Sequence, residues 1–277
     1  MYWFVQDDPR ASFEEPPMRT TQRDTRQSIS EGPGTGQAPR IVAFHGSKGG
    51  TGVTTVAAEV AGALAGAGMD VVALDADLER GCLHYRLDAP SGTSTLTTDD
   101  IIPALDDLSG ELLRDAIATC KCGARLVPSA GKEAAERPSA EQAFALVSTL
   151  ASTFHNVVID TRASMDPFTA GLLSASDLVV LVVTPELASL GGARRALAGL
   201  HRRGGGPPIE ILVNRSMGSR DLVTRSDIES FLGLDVCAWL PEDGYRCRRL
   251  ADECKLIASE RSELARGLLA LARSIFS

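Results

Sequence analysis

The amino-acid sequence predicts an α/β fold with a single doubly wound, mostly parallel sheet and helices on both faces. Short apolar, β-branched runs alternate with longer stretches whose apolar residues recur every three or four positions, as in βαβ units. A glycine-rich turn at residues 47–55 joins the first strand to the first helix. The predicted strands are residues 40–46, 70–76, 124–129, 156–160, 177–183, 209–214 and 235–240, and the predicted helices are residues 52–67, 139–153, 187–201, 221–232 and 261–276.

Composition divides the 277 residues into a polar tail and one large domain. Residues 1–38 are rich in Arg, Thr, Ser, Gln, Pro and acidic side chains, so we expect them to be disordered and residues 39–277 to form the domain. The apolar cluster at residues 2–5 is too short to cross a membrane or to act as a secretion signal. Because no later run approaches about eighteen apolar residues, the sequence predicts a cytoplasmic protein.

Charge and cysteine content argue against two functional classes. The formal net charge of -8 is unfavourable for general affinity to nucleic acid. The six cysteines are scattered, and the pair Cys120 and Cys122 has neither a second pair nor a suitably spaced histidine. We therefore predict reduced thiols rather than a zinc site.

Residues 47–55, SKGGTGVTT, have the spacing of a nucleotide-binding P-loop with two departures. In the pattern G-x-x-x-x-G-K-[ST], Ser47 replaces the first glycine and Val53 replaces the lysine, whereas Gly52 and Thr54 match. A glycine-rich turn that opens a helix presents unpaired backbone N–H groups and the positive end of the helix dipole, and both attract phosphate. The predicted phosphate-binding residues are Lys48, Gly49, Gly50, Thr51, Gly52, Val53, Thr54 and Thr55.

Three carboxylates are expected at the same edge of the sheet as this loop. Asp75 and Asp77 follow the second predicted strand, and Asp160 ends the strand 156–160. Because Mg²⁺ prefers hard oxygen ligands and retains water, Thr54 is predicted to ligate the ion directly and Asp160 to hold a coordinated water. An aspartate at a strand end can instead cap the next helix, which is the simpler alternative for any one of the three.

The motifs together resemble the CpaE/TadZ branch of the MinD/ParA ATPases, over nearly all of residues 40–260. K-G-G-x-G-x-T is similar to the deviant P-loop of that superfamily, and the segments LDADLERGCLHYRLD, VVIDTRASMDPF, ILVNR and WLPED resemble its other motifs. The resemblance implies a P-loop fold with ATP and Mg²⁺ as cofactors, and an ATP-dependent homodimer in which Lys48 reaches the partner's phosphates. It also implies that Asp77 orients the attacking water and that Asp75 supports the metal. The adenine would be bordered by Asn214, Arg215, Pro241, Glu242 and Asp243.

This resemblance implies a slow ATPase that positions a tight-adherence (Flp-type) pilus, a secretion machine or septum machinery, since septum-site determining proteins are related. Such a protein would be cytoplasmic and recruited to the inner face of the membrane at a pole or septum. One alternative is a nucleotide-gated scaffold that does not hydrolyse ATP, and another is a ParA-like DNA segregation ATPase. A Rossmann-type dinucleotide enzyme fits less well, because Thr55 occupies the place of the third glycine.

Three further features have simpler structural explanations. Residues 264–276 form an amphipathic stripe that suits peripheral membrane contact, but a helix packed on the sheet gives the same stripe and is favoured. Arginines near the helix 187–201 could contact DNA or form a solvated face; they are Arg194, Arg195, Arg202 and Arg203. His45, at the end of the first strand, is expected to be a core or loop histidine rather than a catalyst.

Overall fold

The computed structural model describes residues 40–90, 95–105, 107–131, 137–202 and 206–276. The tail predicted at residues 1–38 lies outside these residues. The strands are β1 (Arg40–Gly46), β2 (Val71–Asp75), β3 (Ala118–Thr119), β4 (Arg125–Val127), β5 (Asn156–Asp160), β6 (Leu178–Val183), β7 (Ile209–Ser216) and β8 (Val236–Pro241). The helices are α1 (Val53–Gly66), α2 (Leu83–Arg86), α3 (Thr98–Ile101), α4 (Gly110–Ala116), α5 (Ala140–Thr153), α6 (Pro167–Ala175), α7 (Leu187–His201), α8 (Arg225–Leu232), α9 (Gly244–Asp252) and α10 (Glu263–Ile275).

The strands form one sheet in the order β3-β4-β2-β5-β1-β6-β7-β8. Every neighbouring pair is parallel except β3 and β4 at one edge, which are antiparallel. The predicted fold class is therefore confirmed. The connection after β1 runs to β2 on one side of β1, whereas the connection after β5 runs to β6 on its other side. This change of direction creates a crevice beyond the carboxyl end of β1.

Alternating side chains of β1 show that the sheet is covered on both faces. Val42 and Phe44 belong to the core beneath α1 and α10, whereas Ile41 and Ala43 belong to the core beneath α5 and α6. All four side chains are buried. This is the burial expected of a parallel sheet between two helical layers, and it explains why the strands are continuous apolar runs.

The C-terminal helix α10 is part of this core. Its apolar stripe is buried against α1 and β8 and consists of Leu264, Leu268, Leu271 and Ile275. Arg40 Nε donates a hydrogen bond to the carbonyl of Ile275 over 3.2 Å, which ties the helix end to the start of β1. The favoured prediction, that this stripe packs on the sheet, is confirmed. Among the described helices, none has the length and hydropathy needed to span a membrane.

Several of the elements that the sequence did not indicate lack a clear apolar period. β3 has two residues, α2 has four, and α6 is buried nearly all round, so none of them carries a usable pattern. The helix predicted from residue 221 begins at Arg225, because the Thr224 side chain caps it by accepting a hydrogen bond from the Asp227 amide.

Candidate functional site

The glycine-rich loop leaves β1 at the centre of the sheet and opens α1. Gly52 is the N-cap of α1 and has a φ of 95°, in the left-handed region that favours glycine. The Asn214 side chain, at the end of β7, donates a hydrogen bond from Nδ2 to the Thr51 carbonyl over 2.8 Å. A Cβ atom at Gly52 would lie 2.4 Å from that Nδ2 atom. The loop conformation therefore depends on a glycine at 52 and an amide side chain at 214.

Helix α7 supports the other side of the loop. A Cβ atom at Gly192 would lie 2.1 Å from the carbonyl oxygen of Ser47, so the helix backbone packs directly on the loop. The hydroxyls of Ser47 and Ser189 are 2.7 Å apart, and Ser189 Oγ also accepts a hydrogen bond from the Thr184 amide over 2.8 Å. These contacts fix where the loop begins.

A pocket of about 470 Å³ opens above the loop. All eight predicted phosphate-binding residues, Lys48 to Thr55, line it. The other residues that line the pocket come from the segments after β2 and β5 and from the end of β7, and they include Asp77, Glu79, Arg80, Thr161, Arg162 and Arg215. The first turn of α1 has N–H groups without partners inside the helix, so this pocket has the donors and the dipole that a phosphate chain requires.

A smaller pocket of about 60 Å³ adjoins the first and shares three residues with it, Gly52, Thr55 and Arg215. It is lined by all five residues predicted to border the adenine, namely Asn214, Arg215, Pro241, Glu242 and Asp243. Apolar side chains of α1, β8 and α10 form its floor. The structure thus brings the predicted phosphate and base segments together in one continuous crevice.

Lys48 stands at the rim of the site. Its Nζ atom is 3.1 Å from Glu186 Oε2, just before α7, and both side chains are partly exposed. An exposed ion pair of this kind contributes about 1 kcal/mol or less, so it holds the lysine only weakly. Lys48 is therefore available to a ligand that approaches from outside the loop.

Asp75 and Asp160 are paired across β2 and β5, and both carboxylates are buried. Asp75 accepts hydrogen bonds from the Leu83 amide at 2.9 Å and from the Asp77 amide at 3.3 Å. Burial raises the pKa of Asp75 to about 7 despite these bonds. Burial, together with the charge of Asp75, raises the pKa of Asp160 well above its ordinary value, and a hydrogen bond with Thr54 opposes the shift.

These two groups favour a cation nearby, because a positive charge would stabilise their ionised forms. Among the described residues, no three Asp, Glu, His or Cys side chains converge closely enough to hold a metal ion by themselves. An ion here would need other oxygen ligands, such as the Thr54 hydroxyl, water or phosphate. Asp77 lies nearer the pocket and is partly exposed; its Oδ1 atom accepts a hydrogen bond from the Arg80 amide over 3.2 Å.

His45 is a core histidine, as expected from its place in β1. Its Nδ1 atom lies 2.8 Å from Thr161 Oγ1, which donates to the Phe44 carbonyl over 2.9 Å. Because the hydroxyl proton is used in that bond, Nδ1 carries the imidazole proton and donates to Thr161. Burial lowers the pKa of His45 to about 4, so the ring is neutral at physiological pH and holds the loop after β5.

Several residues at the site were not indicated by the sequence patterns. Burial raises the pKa of the Cys82 thiol, and the neighbouring Thr54 opposes this shift. The buried Glu59 of α1 accepts hydrogen bonds from the amides of Ile257 and Ala258, both over 2.8 Å. Arg162 lies in the main pocket two residues after β5. Its place directly after a strand that ends in aspartate is a signal that could have identified it.

All six cysteines are free thiols, as predicted.

Comparison with known proteins identifies the family. A family model described as an AAA domain matches residues 39–202, more than half of the chain. The septum site-determining protein MinD of Synechocystis sp. is 28% identical over 211 residues, which are 74% of this chain and 76% of that protein. The ParA family ATPase from Chlorobium tepidum TLS has a crystal structure that matches with a TM-score of 0.74 and 28% identity, over 85% of this chain and 98% of that one. The chain belongs to the MinD/ParA superfamily.

Another MinD/ParA structure is that of MinD from Pyrococcus horikoshii OT3, complexed with Mg-ADP. It matches with a TM-score of 0.71 and 22% identity over 86% of this chain and 96% of that one, which shows the shared fold. The CpaE/TadZ branch within the superfamily stays a hypothesis.

Gly52 offers a test of the loop geometry. We expect Gly52→Ala to lower the free energy of unfolding by at least about 1–2 kcal/mol, because alanine disfavours a positive φ and its Cβ atom would displace the Asn214 amide. Gly49→Ala is the matched control, since no atom lies within 4 Å of a Cβ atom placed there. Urea denaturation measures both, and equal stability of the two variants would contradict this account.

Asp75 makes the stability of the nucleotide-free protein depend on pH. Its pKa is raised from 3.8 to about 7, so the folded state binds this proton more tightly than the unfolded chain does. The free energy of unfolding should therefore fall as the pH rises from about 4 to about 7, and then level off. Asp75→Asn should flatten this dependence by about 2–4 kcal/mol, measured by urea denaturation at pH values across that range. A slope identical to that of the parent protein would refute the assignment.

Proposed function

We propose that this protein is an ATP-dependent switch whose Mg²⁺-ATP-bound dimer positions another cellular assembly and hydrolyses ATP slowly. The observation that carries the proposal is the continuous crevice at the centre of the sheet, with the glycine-rich loop at one end and the 214–215 and 241–243 segments at the other. Membership of the MinD/ParA superfamily and the Mg-ADP bound to the MinD of Pyrococcus horikoshii OT3 support it.

The residues present fit a nucleoside triphosphate. The N–H groups at the start of α1 would bind the phosphates, and the apolar floor of the smaller pocket suits a purine. A magnesium ion would be held by the Thr54 hydroxyl and, through water, by Asp160, with Asp75 supporting it. When bound, the ion neutralises charge on the phosphates. Asp77, on the pocket side of this cluster, would orient the attacking water.

Exposed apolar side chains around the crevice support a dimer formed through this face. Leu187 is 82% exposed, Leu222 is 96% exposed and Tyr245 is 83% exposed. They follow β6, β7 and β8, at the edge of the sheet from which the glycine-rich loop emerges. Large apolar groups exposed at one edge of the sheet favour a protein interface. Lys48 at the rim would then exchange Glu186 for the phosphates held by the second subunit.

Val53 is the reason to expect slow turnover. A charge-assisted contact to phosphate contributes about 1.5–3 kcal/mol, so loss of the usual lysine should weaken binding roughly ten- to a hundredfold. A cation aimed at developing charge contributes on the order of a hundred- to a thousandfold in rate, so hydrolysis should be affected more. Val53 also favours the second candidate function, a nucleotide-gated scaffold that recruits partners without hydrolysis.

For the cellular role, we propose positioning of an Flp-type pilus or related secretion machine, or of septum machinery, at the inner face of the membrane. The CpaE/TadZ-like motifs support the first and the MinD relative supports the second. DNA segregation is the less favoured alternative, because the protein carries a net charge of -8. Arg194 and Arg195 are exposed on α7. Arg194 lies over the ring of Phe231, with 5.3 Å between its Cζ atom and the ring centroid. Arg203 lies outside the described residues.

ATP-dependent dimerisation tests the proposed function. We expect the parent protein to bind a fluorescent ATP analogue with Mg²⁺ and to become dimeric in light scattering, whereas Lys48→Ala should bind nucleotide but stay monomeric. Leu222→Glu should also block the dimer, because it places charge on the proposed interface. The control Leu112→Glu changes an equally apolar residue, 59% exposed on α4, and should dimerise normally. A parent protein that binds ATP as a monomer would exclude the dimer, and preference for NAD would exclude an ATP site.

Val53→Lys tests whether the missing lysine limits turnover. The new side chain would extend from the first turn of α1 toward the phosphates, so affinity and steady-state phosphate release should both rise. Asp77→Ala, which removes the water-orienting carboxylate, should abolish the gain. If the parent dimer shows no hydrolysis and Val53→Lys changes nothing, the nucleotide-gated scaffold is the correct function.

A further inference from the structure

One arginine that lines the pocket lies outside the P-loop pattern. Arg162 follows β5 by two residues, and it lines the same pocket as the glycine-rich loop. Its neighbours Thr161 and Ser164 also line that pocket. The loop itself carries Val53 where a cation is expected, so a positive charge on the pocket wall has an evident use.

Two carboxylates hold the Arg162 guanidinium in place. Its Nη1 atom is 3.3 Å from Glu79 Oε2, and its Nε and Nη2 atoms donate to Asp166 Oδ2 over 3.3 and 3.0 Å. Asp166 is itself fixed, because its Oδ1 atom accepts a hydrogen bond from the Thr169 amide over 3.0 Å at the start of α6. A guanidinium has five N–H donors, so these three contacts leave donors available to a ligand.

A second arginine offsets the negative charge of the same two carboxylates. Arg137 forms ion pairs with Glu79 and with Asp166, the latter with 3.6 Å between Nη1 and Oδ2. The cluster of four therefore has two positive and two negative groups, and Arg162 is the positive member on the pocket wall. Arg137 is not one of the described residues that line that pocket.

We propose that Arg162 is a phosphate-binding residue of this protein and supplies the charge that Val53 lacks. This inference rests on the proposed ATP site. An arginine held in place before the ligand arrives loses little conformational freedom on binding, and its planar donors match phosphate oxygens. Arg80 also lines the pocket, but it is exposed and makes no ion pair with any described residue, so it would have to be ordered by the ligand.

Equilibrium binding of a fluorescent ATP analogue tests the role of Arg162 separately from turnover. We expect Arg162→Gln to weaken binding roughly ten- to a hundredfold, since it removes the charge but keeps amide donors for Asp166. Arg137→Gln is the matched control, because it removes the same charge from the same carboxylates outside the pocket, and it should leave binding within about threefold of the parent. Thermal unfolding without nucleotide identifies any variant that fails to fold; Arg162→Lys, which keeps the charge, then replaces Arg162→Gln and should lose less than tenfold.

A second experiment restores the positive charge at position 53 instead of position 162. Val53→Lys in the Arg162→Gln background should recover binding to within about threefold of the parent protein. Equal weakening by Arg137→Gln and Arg162→Gln would overturn the inference, and so would normal binding by Arg162→Gln with a loss in Arg80→Gln. In each of these outcomes the parent still binds ATP and the proposed function stands. A parent protein that does not bind ATP would instead refute the proposed function.

Discussion

Burial of β1 between two helical layers is the constraint on which the site depends. Its side chains are used alternately by the two cores, so the strand can neither shift in register nor turn over without exposing apolar groups to water. The glycine-rich loop must therefore emerge at one fixed point, between the ends of β5 and β6. Asn214 and α7 then hold the loop from two sides. Its rigid neighbours thereby give the loop a defined shape.

The most deeply buried charges around the crevice are acidic, whereas its walls and rim carry more basic than acidic side chains. The acidic pair Asp75 and Asp160 lies buried beneath the loop, where desolvation favours the protonated forms. The basic side chains line the walls and rim and are partly or fully exposed; they are Lys48, Arg80, Arg162 and Arg215. Such a site suits a ligand that combines an anionic chain with a divalent cation. Neither the anionic chain nor the cation alone would offset both the buried acidic groups and the exposed basic ones.

The sequence predicted the framework of the fold and the outline of the crevice, for identifiable reasons. Strands such as LVVLVV are apolar because both faces are covered, and all five predicted helices have an α-helix in the corresponding segment. The glycine-rich loop and the strand-end aspartates have local signatures, so they could be identified and placed at one edge, whereas Asn214 was identified only through the family resemblance. Glu59 has no such signature, because its partners are far away in the chain. Arg162 follows a strand-end aspartate, but its ion pair with Glu79 also depends on a distant partner. Pairings of this kind become visible only when the helices are docked.

The contact between Gly192 and the Ser47 carbonyl has a consequence for protein engineering. Replacing glycine within a helix by alanine is a routine way to raise thermostability, since glycine costs about 1 kcal/mol of helix propensity. At position 192 the added methyl group would collide with the loop backbone, so a consensus-style design that improved α7 would distort the crevice. Gly191, next to it, meets only the flexible end of Arg195 at 3.7 Å and is free of this conflict. The same substitution by alanine would thus be tolerated at position 191 and would distort the crevice at position 192.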